Sequence, residues 1–296
     1  MEQRRSGRWW LRLAVAGVLL AGAAGAVACG DDDDKAGDTT PAATQAATAA
    51  PKDDPAAVAA VETANRNLYA NWNAKDKDAF LAGFTDAGLV SVFGEEGQTA
   101  ADVKADLEFF FGSSQITNVT IGNTKVSGQT ATTESQIAIF GSYQKTSDTF
   151  VKVGDAWKLD SETDLVVDVP AGVKLVRVDV IEFAFGVDTS AIAGNVAFEL
   201  SNVGKQAHEL GIAGIAADAD IDDLIQQIVD SPEGDVPGVE FHGFIEAEPG
   251  ATTNLVFTEP LAPGRYLMLC FLPDTTEGDE GTPHALKGMF KEFTIK

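Results

Sequence analysis

Apolar positions first recur at helical spacing and later change to a two-residue period. The stretch 56–76 predicts an amphipathic helix, and shorter helices are predicted over 77–84 and 101–112. The apolar positions of the first helix are Val58, Val61, Leu68 and Trp72. From 116 to 164, alternating apolar and polar residues predict four strands separated by glycine-containing turns. Helices followed by antiparallel strands predict an α+β unit whose curved sheet wraps around the helices.

In the remainder of the chain, the pattern of apolar and polar residues predicts mainly strands. Three alternating segments lie between glycine and proline turns over 165–210, which is typical of a β-sandwich. One helix is predicted over 218–232, because Leu224 and Ile228 share its apolar face and aspartates occupy its first turn. Further strands are predicted over 251–261, 264–271 and 288–296.

The first residues have the pattern of an export signal. Four arginines precede an apolar run that ends in small residues, which predicts a signal peptide over 1–28. The run is shorter than the roughly 20 residues that a membrane span needs. The stretch AVAC before Gly30 resembles a bacterial lipoprotein lipobox, and this resemblance implies a lipid on Cys29. Residues 29–54 are acidic and then rich in Ala, Thr and Pro, which predicts a disordered tether. We therefore expect a lipid-anchored protein on the extracytoplasmic side of the membrane.

Composition and charge limit the partners. The chain has 296 residues, 45% of them hydrophobic, which favours a globular protein of two domains. Its formal net charge of -24 excludes nucleic acid and a bare anionic membrane surface as favourable partners. A basic protein partner remains open.

Residues 55–163 resemble the NTF2-like (SnoaL-like) family. The resemblance lies in LYANWNAKDKDAFLAGFTDAGLVSV and KVGDAWKLDSE, and it implies an α+β cone. Enzymes of that family use His, Asp or Tyr inside the cone, but this segment contains no histidine. Asp86, Glu95 and Tyr143 are candidate acids or bases, and the alternative is that they are solvated polar residues. We assign no catalytic residue, and the unit is expected to serve as a spacer, a dimerisation surface or a small-molecule pocket.

Soft metal ligands gather in LCFLPDTTEGDEGTPHALKGMF, residues 269–290, although the chain has only 2 cysteines, 3 histidines and 3 methionines. Cys270 has no disulfide partner, because Cys29 is either lipidated or removed with the signal. His208 follows SNVGKQA, where we expect the end of an earlier strand. Together, His208, Cys270, His284 and Met289 are the donor types that copper takes in blue-copper sites, with Met as the weak axial ligand.

Residues 165–296 resemble the cupredoxin family. The segments that carry the resemblance are EFAF, AGNVAFELSNVGKQAHEL, GRYLMLC and PHALKGMFKEFTI. It implies an all-β Greek-key sandwich, into which the predicted helix 218–232 is inserted, and one type 1 copper held by His208, Cys270, His284 and Met289. It also implies a hydrogen bond from the backbone N–H of Glu209 to the sulfur of Cys270.

Two spacings bear on this resemblance. Four residues separate His284 from Met289, as in plastocyanin-like members, but thirteen separate Cys270 from His284, where those members have only a few. Turn residues such as Pro273 and Pro283 would let this longer loop fold back. His242 lies outside the motif and is interpreted as structural or solvent-exposed.

The sequence thus favours an electron carrier over an enzyme. The alternatives are a copper-binding or sensing lipoprotein without redox turnover, and a metal-free cupredoxin/NTF2-like scaffold. A basic redox partner is expected at the edge near His284, because the loop 271–283 carries four acids and no basic residue. These acids are Asp274, Glu277, Asp279 and Glu280. They would equally keep an exposed loop solvated. A dimer through the NTF2-like unit also remains open.

Overall fold

The computed structural model describes residues 54–94, 97–230, 236–277 and 281–296. The predicted signal peptide, Cys29 and the predicted tether up to residue 53 lie outside these ranges. Over the ranges described, no helix combines the length and the apolar character needed to cross a membrane. The fold is α+β with mostly sheet.

Four helices form the first part of the described chain. They are α1 (Pro55–Asn73), α2 (Lys77–Ala82), α3 (Asp86–Phe93) and α4 (Ala100–Phe110). Each begins at a side chain that accepts a backbone N–H of the first turn, as N-cap residues do. These caps are Asp54, Asp76, Thr85 and Thr99. The sequence did not predict α3, since a short apolar run does not distinguish helix from strand.

The four strands predicted after the helices are present as an antiparallel meander. They are β1 (Thr117–Ser127), β2 (Thr130–Ile139), β3 (Ser142–Val153) and β4 (Ala156–Leu165). Helices and sheet enclose a core rich in aromatic rings, including Trp72, Phe80, Phe84, Phe150 and Trp157. Gly88 lets α3 lie against β4, because a Cβ there would be only 2.0 Å from the carbonyl oxygen of Leu159.

A buried polar network ties α1 to the sheet. Asn65 Nδ2 donates to Ser135 Oγ and to Asp148 Oδ2, both at 2.8 Å. Ser135 Oγ also donates to Asp148, and Thr146 Oγ1 donates to the other carboxylate oxygen at 2.7 Å. Burial raises the pKa of Asp148, although these hydrogen bonds oppose the shift. Each polar group in this core therefore depends on the others for its partners.

The large sheet continues from the first part of the chain into the second. Its further strands are β5 (Lys174–Ile181), β6 (Ala184–Gly186), β7 (Val196–Asn202) and β10 (Thr252–Phe257). The order within the described residues is β1-β2-β3-β10-β7-β5-β6, with β4 paired to β3. The two parts meet where β10 pairs with β3, through Val256 opposite Tyr143 and Phe257 opposite Ser142. Backbone hydrogen bonds thus connect the two units that the sequence predicted.

A second sheet covers the other side of the C-terminal core. Its strands are β8 (His208–Ile215), β9 (Val239–Ala247), β11 (Gly264–Leu269) and β12 (Phe290–Ile295), in the order β12-β11-β8-β9. Side chains of both sheets form one apolar core, which includes Phe198, Leu200, Leu210, Ile212, Leu255 and Met268. The predicted helix is present as α5 (Ile221–Asp230), with Leu224, Ile225 and Ile228 buried. The strand β9 was not predicted.

We expect Asn65→Ala to destabilise the protein by about 1–3 kcal/mol, because it removes the donor to the buried Ser135 Oγ and one of the two donors to Asp148 Oδ2. The free energy of unfolding is measured by denaturant titration. Asn67→Ala is the matched control, since Asn67 lies exposed on the same helix and should change stability by less than about 0.5 kcal/mol. Equal effects of the two substitutions would contradict the role given to the network.

Candidate metal centre

Three donor side chains predicted from the sequence converge in the second half of the chain. His208 begins β8, Cys270 directly follows β11, and His284 begins a short 3-10 helix, His284–Lys287. All three are 0% exposed. One donor atom from each lies within 4.8 Å of the other two, a grouping compatible with one metal ion. The preceding strand β7 ends at Asn202, within SNVGKQA as expected, and His208 begins the next strand.

The pairing of β8 with β11 brings the first two donors together. These strands are antiparallel with Leu269 opposite Gly211, so that His208 and Cys270 lie at the same end of the sheet. The backbone N–H of Glu209 donates to Cys270 Sγ at 3.3 Å, which is the contact that the resemblance implied. This hydrogen bond fixes the sulfur relative to β8 and would stabilise a thiolate.

Backbone hydrogen bonds close the base of the long loop between Cys270 and His284. The N–H of Ala285 donates to the carbonyl of Cys270 at 2.7 Å, and the N–H of His284 donates to that of Leu272 at 2.9 Å. Pro273 and Pro283 then pair as an isolated bridge. The extra residues extend beyond this closed base, and the length of the loop does not separate His284 from Cys270. Nδ1 of His284 lies 3.4 Å from Cys270 Sγ.

After the short helix, the chain brings Met289 back beside Cys270 and His284. Gly288 adopts a left-handed conformation (φ 94°) that ends this helix. The N–H of Met289 donates to the carbonyl of His284 at 3.0 Å, and the N–H of Cys270 donates to the carbonyl of Met289 at 3.3 Å. Its side chain is 0% exposed and packs in the same core as Cys270. The backbone of Met289 is thus bonded to the backbones of two candidate ligands.

The two imidazoles are neutral at physiological pH. Burial lowers the pKa of His208, and burial together with the nearby His208 lowers the pKa of His284 to about 4. The ring centroids of the two histidines are 4.9 Å apart. Neutral imidazoles have a free lone pair, which is the form that binds metals.

The pKa of the Cys270 thiol is shifted in the opposite direction from those of the imidazoles. Burial and then the carboxyl of Glu209 raise the pKa of Cys270 well above its ordinary value. Burial also raises the pKa of Glu209 to about 7. Cys270 is therefore protonated unless a cation compensates the charge of its thiolate, and a metal that binds here would displace a proton.

The surroundings of the donors fit a metal. Both ring nitrogens of His208 and Nε2 of His284 are buried and have no hydrogen-bond partner among the described residues. Buried polar atoms without partners cost free energy, which a bound metal would offset. Two imidazoles and one thiol in a closed, apolar site are a borderline-to-soft donor set, compatible with copper.

Other candidate residues lie elsewhere. Asp86 is exposed at the start of α3 and pairs with Lys104, while the hydroxyl of Tyr143 accepts a hydrogen bond from Asn118 at 3.3 Å. Glu95 lies outside the described residues. His242 is half-buried, and its ring centroid lies 5.5 Å from that of Tyr266.

The prediction for Asp274 was wrong. It was expected to be an exposed acid of the loop, but it is only 3% exposed and forms an ion pair with Lys287. Asp279 and Glu280 lie outside the described residues, as does the side chain of Glu277. The loop acids can therefore not be treated as one solvated cluster.

Sequence reasoning also missed two residues beside the donors. The ring of Phe183 meets that of His284 edge-on at 5.1 Å, and Lys287 Nζ lies 5.1 Å from the Phe183 ring centroid. Phe183 has a positive φ of 61°, which is unusual for a bulky residue. The sequence signal for Phe183 was the segment EFAF, but nothing in it indicated a contact with His284.

Comparisons with known proteins give weak likenesses to both parts of the chain. No family model and no curated protein matches. Auracyanin B is 23% identical, with 45% of this chain and 94% of that chain covered and a TM-score of 0.29. Auracyanin from the photosynthetic bacterium Roseiflexus castenholzii is 17% identical, with coverages of 43% and 99% and a TM-score of 0.29. An NTF2-like protein of unknown function from Shewanella oneidensis MR-1 is 14% identical, with coverages of 36% and 96% and a TM-score of 0.30. These values do not assign a function.

We expect Gly281→Ala to destabilise the protein by about 1–3 kcal/mol, because the new Cβ would lie 2.0 Å from the backbone oxygen of Asp274 in a buried place. Thermal and denaturant unfolding measure the change. Gly122→Ala is the control, since its Cβ would meet nothing within 4 Å. A Gly281→Ala protein as stable as Gly122→Ala would show that the loop does not pack as described.

Proposed function

We propose that this chain is an extracytoplasmic, membrane-tethered type 1 (blue) copper protein that transfers electrons. The observation that carries the proposal is the buried convergence of His208, Cys270 and His284, where three of the four imidazole nitrogens lack hydrogen-bond partners among the described residues. The auracyanin likeness agrees with this choice but is too weak to support it.

Copper bound here would supply one electron by changing between Cu(II) and Cu(I). A thiolate suits Cu(I), whereas imidazoles suit both states, so a fixed geometry between their preferences needs little rearrangement on electron transfer. The chain holds its donors from a sheet end, a closed loop and a short helix. Phe183 packs on His284, and the Glu209 N–H holds the sulfur. In our proposal Met289 is the weak axial ligand.

The same proposal assigns the route by which electrons leave. Three apolar side chains within five residues of His284, Phe183 or His208 along the chain are exposed: Leu286 is 39% exposed, Ile181 49% and Val203 59%. Leu286 lies two residues after His284, and Ile181 two residues before Phe183. We place the contact with a basic redox partner at this edge. Because Asp274 is buried, the charge that steers the partner would come from other acids of the molecule.

Localisation and partners belong to the proposal as well. A lipid on Cys29 would hold the chain at the membrane, with residues 30–54 as the tether. The first part of the chain would act as a spacer or dimerisation surface rather than as an enzyme. Reversible bleaching of an absorption band on reduction would separate an electron carrier from a copper-binding or sensing protein without redox turnover.

We expect Cys270→Ser to abolish the intense visible thiolate-to-copper band, because a hydroxyl is a hard and poorly ionised ligand. Absorption and EPR spectra of the full-length chain after copper addition measure this. Cys29→Ser is the matched control, since it removes the other of the 2 cysteines and should leave the band intact. A band that survives in Cys270→Ser would refute the blue-copper proposal.

Met289→Leu should retain copper and raise the reduction potential, because loss of a weak axial donor disfavours Cu(II) more than Cu(I). Redox titration of the visible band gives the potential. Met268→Leu is the control: Met268 is equally buried in the same core, on β11, and has no proposed role as a ligand. If both substitutions leave the potential unchanged, Met289 is not the axial ligand.

A further inference from the structure

One carboxylate contacts all three segments that carry the candidate ligands. Asp274 lies in the loop after Cys270, and its Oδ1 accepts a hydrogen bond from Gln206 Nε2 at 3.2 Å. Its Oδ2 accepts a charged hydrogen bond from Lys287 Nζ. Gln206 lies two residues before His208, and Lys287 belongs to the short helix that begins at His284. Asp274 therefore links the His208, Cys270 and His284 segments directly.

Gln206 strengthens the link between the first two segments. Its side-chain oxygen accepts from the backbone N–H and from the hydroxyl of Thr275, both at 2.7 Å. Its backbone carbonyl accepts from Asn202 Nδ2 at 2.8 Å. Gln206 is only 8% exposed. The amide thus uses both its donor and its acceptor to fix the loop against the turn before His208.

The loop also orders Asp274 itself. The N–H and hydroxyl of Thr276 donate to Asp274 Oδ1 at 2.9 and 2.7 Å, and the N–H of Asp274 donates to the carbonyl of Thr282 at 3.0 Å. The Lys287 ammonium and the Thr276 hydroxyl hold the pKa of Asp274 well below its usual range. The carboxylate is therefore charged at physiological pH, and it is 3% exposed.

We propose that Asp274 is a positioning residue that holds the three ligand-bearing segments together before metal arrives. This inference rests on the function proposed above. A thirteen-residue loop free at its tip would sample many conformations, and ordering it on metal binding would weaken the affinity. A buried, hydrogen-bonded charge pair orders the loop during folding instead, so that this conformational entropy is not lost when the metal binds. Removing one partner leaves the other charge poorly compensated, so the contact should be sensitive to substitution.

The test uses the full-length chain with Cys29→Ser, in which Cys270 is the single thiol. Asp274→Asn keeps the side-chain size and an acceptor oxygen but removes the negative charge opposite Lys287. In the metal-free protein we expect Cys270 to react with a chromogenic aromatic disulfide at least about tenfold faster than in the parent, because a buried thiol reacts only after local opening.

Copper gives a second readout. We expect the dissociation constant for copper to rise about 10- to 100-fold, the size of effect seen when outer contacts of metal ligands are lost. The position or intensity of the thiolate band should change as well. A contact that only stabilised the fold would lower the melting temperature without altering the band, so thermal unfolding is measured on the same samples.

Glu292→Gln is the control, because it removes an ion pair with Arg265 that joins β11 to β12 and contacts no candidate ligand. It should leave the thiol rate and the band unchanged. Lys287→Gln removes the other charge of the same ion pair, and we expect the same changes in the thiol rate and the band. It is the second test variant in case Asp274→Asn does not fold.

The two proposals fail in different ways. If Asp274→Asn or Lys287→Gln folds with parental thiol protection and an unchanged band, the positioning role is overturned. If the parent protein binds copper without a thiolate band, the blue-copper function fails. The thiol reaction rates of the metal-free parent and variants still decide whether Asp274 holds the loop, because this comparison does not involve copper.

Discussion

The structure of the C-terminal half depends on burying three polar donors in one apolar core. His208, Cys270 and His284 are 0% exposed, and the imidazoles find few partners within the described chain. Such burial is unfavourable unless neighbouring groups or a bound ion compensate it. The compensation that is present falls on the sulfur, through the N–H of Glu209 at 3.3 Å, whereas three of the four imidazole nitrogens have no hydrogen-bond partner among the described residues. A metal would relieve both the unsatisfied nitrogens and the protonated thiol, and the same constraint explains why three segments must meet at one sheet end.

Much of the candidate site could be predicted because cysteine, histidine and methionine are rare in this chain. The strand before Cys270, the predicted helices and the four-stranded meander followed from periodicity. The strand β9 did not, because it contains a bulge: Ile212 pairs with Gly243 (φ 137°) and Ala213 with Phe241, so that His242 is an extra residue that interrupts the alternation of VEFHGFIEA. Asp274 was misjudged for a different reason. Charge pattern alone predicts solvation, and the partner that buries this carboxylate lies thirteen residues further along the chain, in the helix that also bears His284.

The polar network of the first part shows the same limit. Asn65, Ser135 and Asp148 come from a helix and two strands, separated by 70 and 83 residues from the asparagine. Each is unremarkable in its own segment, and only the packing of α1 on the sheet makes the three a unit. The carboxyls next to this network are affected too: burial, and then Asp148 and Asp164, raise the pKa of Glu162 well above its ordinary value. The sequence alone did not single out Asp148 or Glu162, because tertiary packing decides which carboxyls are buried.

The pairing of β3 with β10 changes how the first part can relate to the metal centre. If the first part were a spacer on a flexible linker, its charged groups would not shift the pKa of groups in the second part. Here burial, then Glu209, Glu248 and Asp164, raise the pKa of Glu246 well above its ordinary value. Asp164 belongs to β4 in the first part of the chain, and Glu246 lies opposite Glu209 in the β8–β9 register. Glu209 in turn follows His208 and donates its N–H to Cys270. The pairing of β3 with β10 thus places Asp164 of the first part within electrostatic range of Glu246 in the second sheet, and Glu246 lies opposite the residue whose N–H holds the sulfur.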